Sequence, residues 1–299
     1  MLPTLKVNKS DLLNHGRTLG LSELLSALMN SGLFNIEDHN DRVKTLRGER
    51  ATLLYCNDKK IYLDLWEYNS PTYTKNAYES NFDLIIKLQS KIMKDSGVER
   101  CCIRKGILTH LTPEQRLTYH KKVVPWTFFP SRLMIPYIGK EIPACSNKTF
   151  GFFCGKTWKC RGPMLNKMKE QGIEVVASSQ ELRSGRPLSD QEYLQKMFDS
   201  KYGIVLGGRA SHLTECKNRR EFDYMMMKKP LLLNYRPNYY NPMIEGKHYI
   251  YIDDKTDFSK LESLYNINEI ALNGYNWYID NGINCASVFR KIMKERLGI

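Results

Sequence analysis

The chain has 299 residues, 42% of them hydrophobic and 26% charged, enough to bury a core and to form roughly two domains of about 150 residues. No run of about 18 apolar residues occurs, so no transmembrane helix is expected, and "MLPTLKVNKSDLLNHG" lacks the apolar stretch of a secretory signal. The net charge of +13 comes from 45 basic against 32 acidic residues, scattered through the chain, and predicts a folded binder of nucleic acid, anionic surfaces or phosphorylated small molecules. Eight cysteines without paired zinc-ligand spacing predict free thiols in a reducing, cytoplasmic setting.

In chain order, Leu21, Leu24, Leu25 and Leu28 at helical spacing, with Gly32 as a stop, predict a helix near 20–31. "ATLLYCNDKKIYLDLWEY" reads as two strands around Asn57-Asp58, and "NFDLIIKLQ" as another. "PEQRLTYHKK" reads as a helix opening at Pro113. The proline-rich stretch "VVPWTFFPSRLMIPYIGKEIPACSN" has no clean period and reads as a linker.

From Thr149 onward strands and helices alternate. "TFGFFC" is a strand, Pro163 opens a helix that Gly172 ends, and "IEVVA" is a strand. Ser189 and Glu192 form a capping-box pattern for "DQEYLQKMF". "YGIVLGG" is a strand, "NRREFDYMMM" a helix, and "PLLLNY" a strand. This alternation predicts a Rossmann-like α/β half with a parallel sheet covered on both faces. In such sheets ligands bind beyond the carboxyl ends of strands, which singles out the loops "CGKTWKCRG" and "GGRASHLTECK".

In the second loop, Gly207 and Gly208 permit close backbone approach, and Arg209 and His212 lie beside them. Asn218 with Glu221 resembles a capping box, placing Arg219 and Arg220 in the first helical turn, where cations are otherwise disfavoured. Their guanidiniums and the turn's amides suit a diphosphate. Asp223, one turn on from Arg219, suits the two hydroxyls of a ribose. The plain alternative is an Arg219–Asp223 salt bridge on a solvated surface, with the helix starting near Thr214. The first loop fails the Walker spacing, with three residues rather than four between Gly151 and Gly155. Gly155, Lys156, Thr157 and Arg161 still offer a basic, glycine-bearing site before a helix. Arg183 is a further candidate contact in "ELRSGRPLSD". In "IYLDLWEYNSP", Glu67 at the strand's end is a candidate general base, with Asp64 as its substitute. No Asp-x-Asp and no paired histidines occur, so no metal or other cofactor is expected.

"FDYMMMKKPLLL" resembles the acidic–x–Met–x–x–x–x–Pro–hydrophobic motif of nucleotide-sugar glycosyltransferases of the GT-B type, most closely the exostosin-like and Cap10-like (protein O-glucosyltransferase) families. Phe152-Phe153-Cys154-Gly155 is similar to their "FFxG" strand end. "WEYNSP" resembles the Asp–aromatic–Pro turn of the Cap10-like enzymes, whose aspartate is the base of an inverting reaction. Small virus-encoded xylosyltransferases of algal large DNA viruses belong to the same kind, and a viral protein would act in the host cytoplasm. Three departures stand out: Glu67 replaces the aspartate, Asn-Ser precedes the turn's proline, and Lys228-Lys229 replace the usual glycine before Pro230.

The resemblance implies an α/β, GT-B-like architecture of two Rossmann-like domains facing a cleft. Residues 1–145 would form the acceptor side and 146–275 the donor-binding domain, with helix 276–299 packing back on the N-terminal domain. It implies a metal-independent, inverting transfer from a UDP-sugar, with xylose the best guess, to a hydroxyl of an oligosaccharide or glycoprotein acceptor. Such a protein would be a monomer or weak dimer, with no nucleic-acid partner and no membrane insertion. The alternatives are a nucleic-acid-binding protein, prompted by the charge, and an inactive UDP-sugar-binding scaffold.

Overall fold

The computed structural model describes residues 2–9, 21–41, 51–64, 81–87, 114, 121–127, 133–142, 147–156, 161–178, 188–207 and 220–299. The chain divides into two compact units, Met1–Phe129 with Asp280–Ile299, and Pro130–Ile279; sequence alone put these divides at 145/146 and 275/276. Both units are α/β. No helix among the described residues is long and apolar enough to cross a membrane.

The first unit holds strands β1 (Thr4–Val7), β2 (Asn35–Asp38), β3 (Ala51–Cys56), β4 (Lys59–Asp64), β5 (Leu84–Lys87) and β6 (Val123–Pro125), in the spatial order β2-β1-β3-β4-β5-β6. Pairing is antiparallel on both sides of β3 and parallel elsewhere, so the sheet is mixed. Asn57 and Asp58 both take positive φ, 43° and 67°, which suits a two-residue hairpin turn matched to strand twist. The stretch read as a linker begins instead with β6. Val124 and Trp126 are buried there, and Pro125, which has no N–H to offer a ladder, lies on an edge strand. Of the helix expected from Pro113, Glu114 and residues 121–122 are helical, and the rest falls outside the described residues.

Helix α1 (Leu21–Met29) ends before Gly32, whose φ of 68° stops it. The last helix of the chain, numbered α7 below, returns to this unit, where its Phe289 meets Phe34 and Trp126 edge-on at 5.8 and 6.2 Å. Arg296 donates to the Lys121 carbonyl at 2.7 Å.

The second unit runs β7 (Phe152–Lys156), α2 (Gly162–Glu170), β8 (Glu174–Ser178), α3 (Asp190–Asp199), β9 (Gly203–Val205), α4 (Arg220–Met226), β10 (Leu231–Leu233), β11 (Ile250–Tyr251), α5 (Leu261–Leu264) and α6 (Ile267–Tyr278). A π-helical turn, Ile279–Ile283, leads into α7 (Cys285–Leu297). Strands pair in parallel as β8-β7 and as β9-β10-β11. The two sheets are joined by the residues just ahead of β7 and β9, where Lys201 and Tyr202 donate to the carbonyls of Thr149 and Phe150 at 2.9 Å. The spatial succession is therefore β8-β7-β9-β10-β11, a doubly wound order whose direction of progression reverses between β7 and β9.

Both faces of this array are covered. Phe153 packs with Met164, Leu165 and Met168 of α2, whereas its neighbour Phe152, on the opposite face of the strand, meets Tyr193 of α3 edge-on at 5.7 Å. Ser189 caps α3 through the expected box: its hydroxyl accepts from the Glu192 amide, and the Glu192 carboxylate accepts from the Ser189 amide at 2.8 Å. Tyr224 of α4 lies directly over Gly203, close enough that a Cβ there would come within 2.4 Å of the ring.

Candidate functional site

In a doubly wound sheet the crevice forms at the carboxyl ends of the strands flanking the reversal, here β7 and β9. Ladder bonding joins only the residues ahead of these strands. At their carboxyl ends a side chain takes over. Arg161, 5% exposed, donates from Nε to the Gly207 carbonyl at 2.6 Å and from Nη2 to the Leu206 carbonyl at 2.8 Å. Its guanidinium also stands over the Phe153 ring, 5.1 Å from the centroid.

Arg220 reaches the same place from α4. Its Nη1 donates to the Cys154 carbonyl in β7, and its guanidinium lies 5.9 Å from the centre of the Tyr193 ring. Gly155 is where the two arginines meet: a Cβ on it would lie 3.0 Å from Arg220 Nη1 and 3.5 Å from Arg161 Nη1. Two guanidiniums thus converge over a glycine in β7. Guanidiniums are donors suited to the oxygens of an anion.

The surroundings support α4 as a rigid base. Glu221 is fully buried, and its carboxylate accepts from the hydroxyls of Tyr235 and Tyr239, the latter at 2.7 Å. Burial pushes the Tyr224 phenol well above its usual range; Tyr193, Cys154 and Asp223 add to this and Arg220 opposes it. Asp223 is 3% exposed. That burial rules out a solvated surface pair for this residue. Gly207 donates its amide to Asn234 Oδ1 at 2.8 Å, while its carbonyl holds Arg161. Both polar groups of the Gly207 peptide are thus engaged within the protein.

The remaining sequence candidates are placed less fully. Lys156 closes β7 opposite Ser178, and Asp64 closes β4 opposite Ala51 and Lys87. Thr157, Arg183, Gly208, Arg209, His212, Arg219 and Glu67 lie outside the described residues, as does Asn218 of the expected capping box. Among the described residues no cluster of three or more metal-ligating side chains occurs.

The lysine pair that replaces a glycine before Pro230 lies at the opposite end of the sheet, ahead of β10. Lys228 takes the left-handed conformation, φ 51°. The amides of Lys228 and Lys229 donate to the carbonyls of Met225 and Tyr224 at 2.9 and 3.0 Å, which is the Schellman pattern that ends a helix. Lys229, 3% exposed, donates from Nζ to Asn147 Oδ1 at 2.9 Å, to the Phe198 carbonyl at 3.2 Å and to the Ser200 carbonyl. It thereby caps the negative end of α3.

Sequence reasoning missed Asn234, Tyr193 and the Glu221–Tyr235–Tyr239 cluster. Asn234 was within reach of the carboxyl-end rule, which had been applied to the loops after β7 and β9 and not to the one after β10. No protein-family model matches the chain, and no curated protein matches it.

Proposed function

We propose that the chain is a sugar-nucleotide transferase whose donor diphosphate binds at the reversal point of the second unit. The observation that carries this reading is the convergence of Arg161 and Arg220 over Gly155 at the carboxyl ends of β7 and β9. A nucleoside diphosphate is the leaving group of such a transfer. Guanidiniums placed at it stabilise the reaction most as its negative charge develops. In the GT-B-type reading, the donor is a UDP-sugar, with xylose the best guess, and the acceptor hydroxyl attacks with inversion and without a metal. Glu67 takes the acceptor proton, with Asp64 as its substitute.

The test is a thermal-shift panel of UDP, GDP, ADP, CMP and short nucleic acids, with and without added divalent metal. A ligand that binds only the folded chain must raise its melting temperature. Selective stabilisation by UDP, lost in Arg220→Ala and reduced in Gly155→Ala, is the expected result. In the glycine variant the new Cβ displaces Arg220 Nη1 from its 3.0 Å position. Turnover then follows from UDP-sugar hydrolysis. The net charge of +13 favours nucleic acid as the second reading. A shift with DNA or RNA, steep in salt, and none with nucleotides would establish that reading and refute the transferase.

A further inference from the structure

Three strands, β7, β9 and β10, end on the same side of the sheet, and side chains tie their exits together. The run after β7 contributes Arg161, the run after β9 contributes Leu206 and Gly207, and the run after β10 contributes Asn234. The Gly207 residue is gripped from two sides. Its amide donates to Asn234 Oδ1 at 2.8 Å, and its carbonyl accepts from Arg161 Nε at 2.6 Å. The Leu206 carbonyl accepts a second Arg161 donor at 2.8 Å. A planar guanidinium offers donors in a fixed fork, so it can serve two successive carbonyls at once; a lysine ammonium has no such fork. Between β7 and β9 this clamp stands where ladder bonds would otherwise run.

We infer that Arg161 and Asn234 are positioning residues. Together they hold the Leu206–Gly207 backbone at the exit of β9, and so set the wall of the anion site that Arg220 faces. This inference rests on the donor-site reading and divides its arginines by role. Arg220 meets the anion. Arg161 adds its charge there and also acts through the peptides it holds, with its Nε and one Nη2 donor already engaged on carbonyls. Asn234 is the informative member because it carries no charge. Its loss cannot weaken anion binding by removing a cation.

The experiment is a double-substitution cycle on Arg161→Met and Asn234→Leu in the full chain, with Asn234→Asp as the conservative variant. Binding of UDP and of inorganic pyrophosphate is measured by calorimetry, and exchange of the Gly207 amide by hydrogen-exchange mass spectrometry. Each single substitution is expected to weaken UDP up to about tenfold, the net worth of one ordinary hydrogen bond. The double variant should lose little more than the weaker-binding single, because both residues grip one backbone segment. Both single variants should speed Gly207 exchange. Asn234→Asp keeps an acceptor for the amide and should restore its protection, a rescue that a loss of general stability would not show.

Wild-type UDP affinity in Asn234→Leu, or strictly multiplicative losses in the double variant, would overturn the positioning role. If the wild-type chain binds neither UDP nor pyrophosphate, the donor-site reading fails and takes the positioning role with it. The exchange data would then distinguish that failure from the absence of a clamp, since Gly207 protection is measured without ligand.

Discussion

Gly203→Ala is expected to be the most damaging single-methyl change in the second unit. A Cβ at this position would sit 2.4 Å from Tyr224 Cγ, 2.6 Å from its Cβ and 2.9 Å from Cδ1, against an ordinary carbon–carbon separation of about 3.5–4.0 Å. Rotating the Tyr224 ring moves Cδ1 alone. The Tyr224 Cβ is fixed by the α4 backbone, so α4 and β9 must separate by about an ångström. Overpacking of a filled core costs roughly 1–3 kcal/mol, and a clash that side-chain rotation cannot relieve belongs at the upper end. Alanine returns about 0.5–1 kcal/mol through lower unfolded-chain entropy. The net loss is therefore about 2 kcal/mol, or roughly 4–8 °C in Tm for a unit of this size.

Urea unfolding followed by hydrogen exchange across residues 203–233 isolates the effect, since two units need not unfold together. The same displacement carries Arg220, at the start of α4, away from Gly155, so UDP affinity should fall with stability. Tyr224→Ala in the Gly203→Ala background removes the 2.4 and 2.9 Å contacts and keeps the 2.6 Å one, so rescue should be partial. A Gly203→Ala protein that loses less than about 0.5 kcal/mol would refute this packing of α4 on β9.

Two further outcomes can be checked. Lys229→Met leaves the carbonyls of Phe198 and Ser200, and Asn147 Oδ1, without their Nζ donor; a loss of about 2–3 kcal/mol is expected, read from the urea midpoint, and an unchanged midpoint would show the lysine to be a bystander. Burial pushes the Cys56 thiol up to about 11, against an opposing pull from Arg290, and the Cys285 thiol up to about 12, from an ordinary 9.0. The unfolded chain therefore releases these protons first. Their contribution to stability is intact below pH 9 and is lost as pH rises through 11 and 12. Stability of the first unit should decline above pH 9, less steeply in Cys285→Ala.

Local signals in the sequence translated into structure where one short segment decides the outcome. The Ser189 capping box, the Asn57-Asp58 hairpin, and the starts and stops at Pro163, Gly32 and Gly172 all appear as expected. What was not legible depends on distant partners. β1 and β2 are four-residue strands; β1 alternates but buries only two residues, too few to stand out, and β2 is mostly exposed and has no period. β6 hides in a proline-rich run because its place is settled by pairing with β5. At the site, Arg220 could be read from its position before an apolar helix. The engagement of Arg161 with carbonyls 45 and 46 residues away could not. The burial of Asp223 was hidden for a related reason. Spacing puts it one turn from Arg219, but only the packing around α4 reveals that the residues following Arg220 are buried on every side.

The return of α7 to the first unit bears on how the chain is made. Thr127 Oγ1 donates to the Asn281 carbonyl at 3.0 Å, which fastens together the two points between which residues 130–279 are inserted. Neighbouring ends are the arrangement that lets one domain interrupt another without distorting it. On the ribosome, domains usually mature in the order in which they emerge. Here the interrupted unit must wait: Phe34 and Trp126 lack the Phe289 ring they pack against until that residue has been synthesised. The inserted unit, continuous in sequence, has all its strands before then. The second unit to be translated is thus the first that can finish folding, and the nascent first unit is the stage exposed to chaperones and proteases.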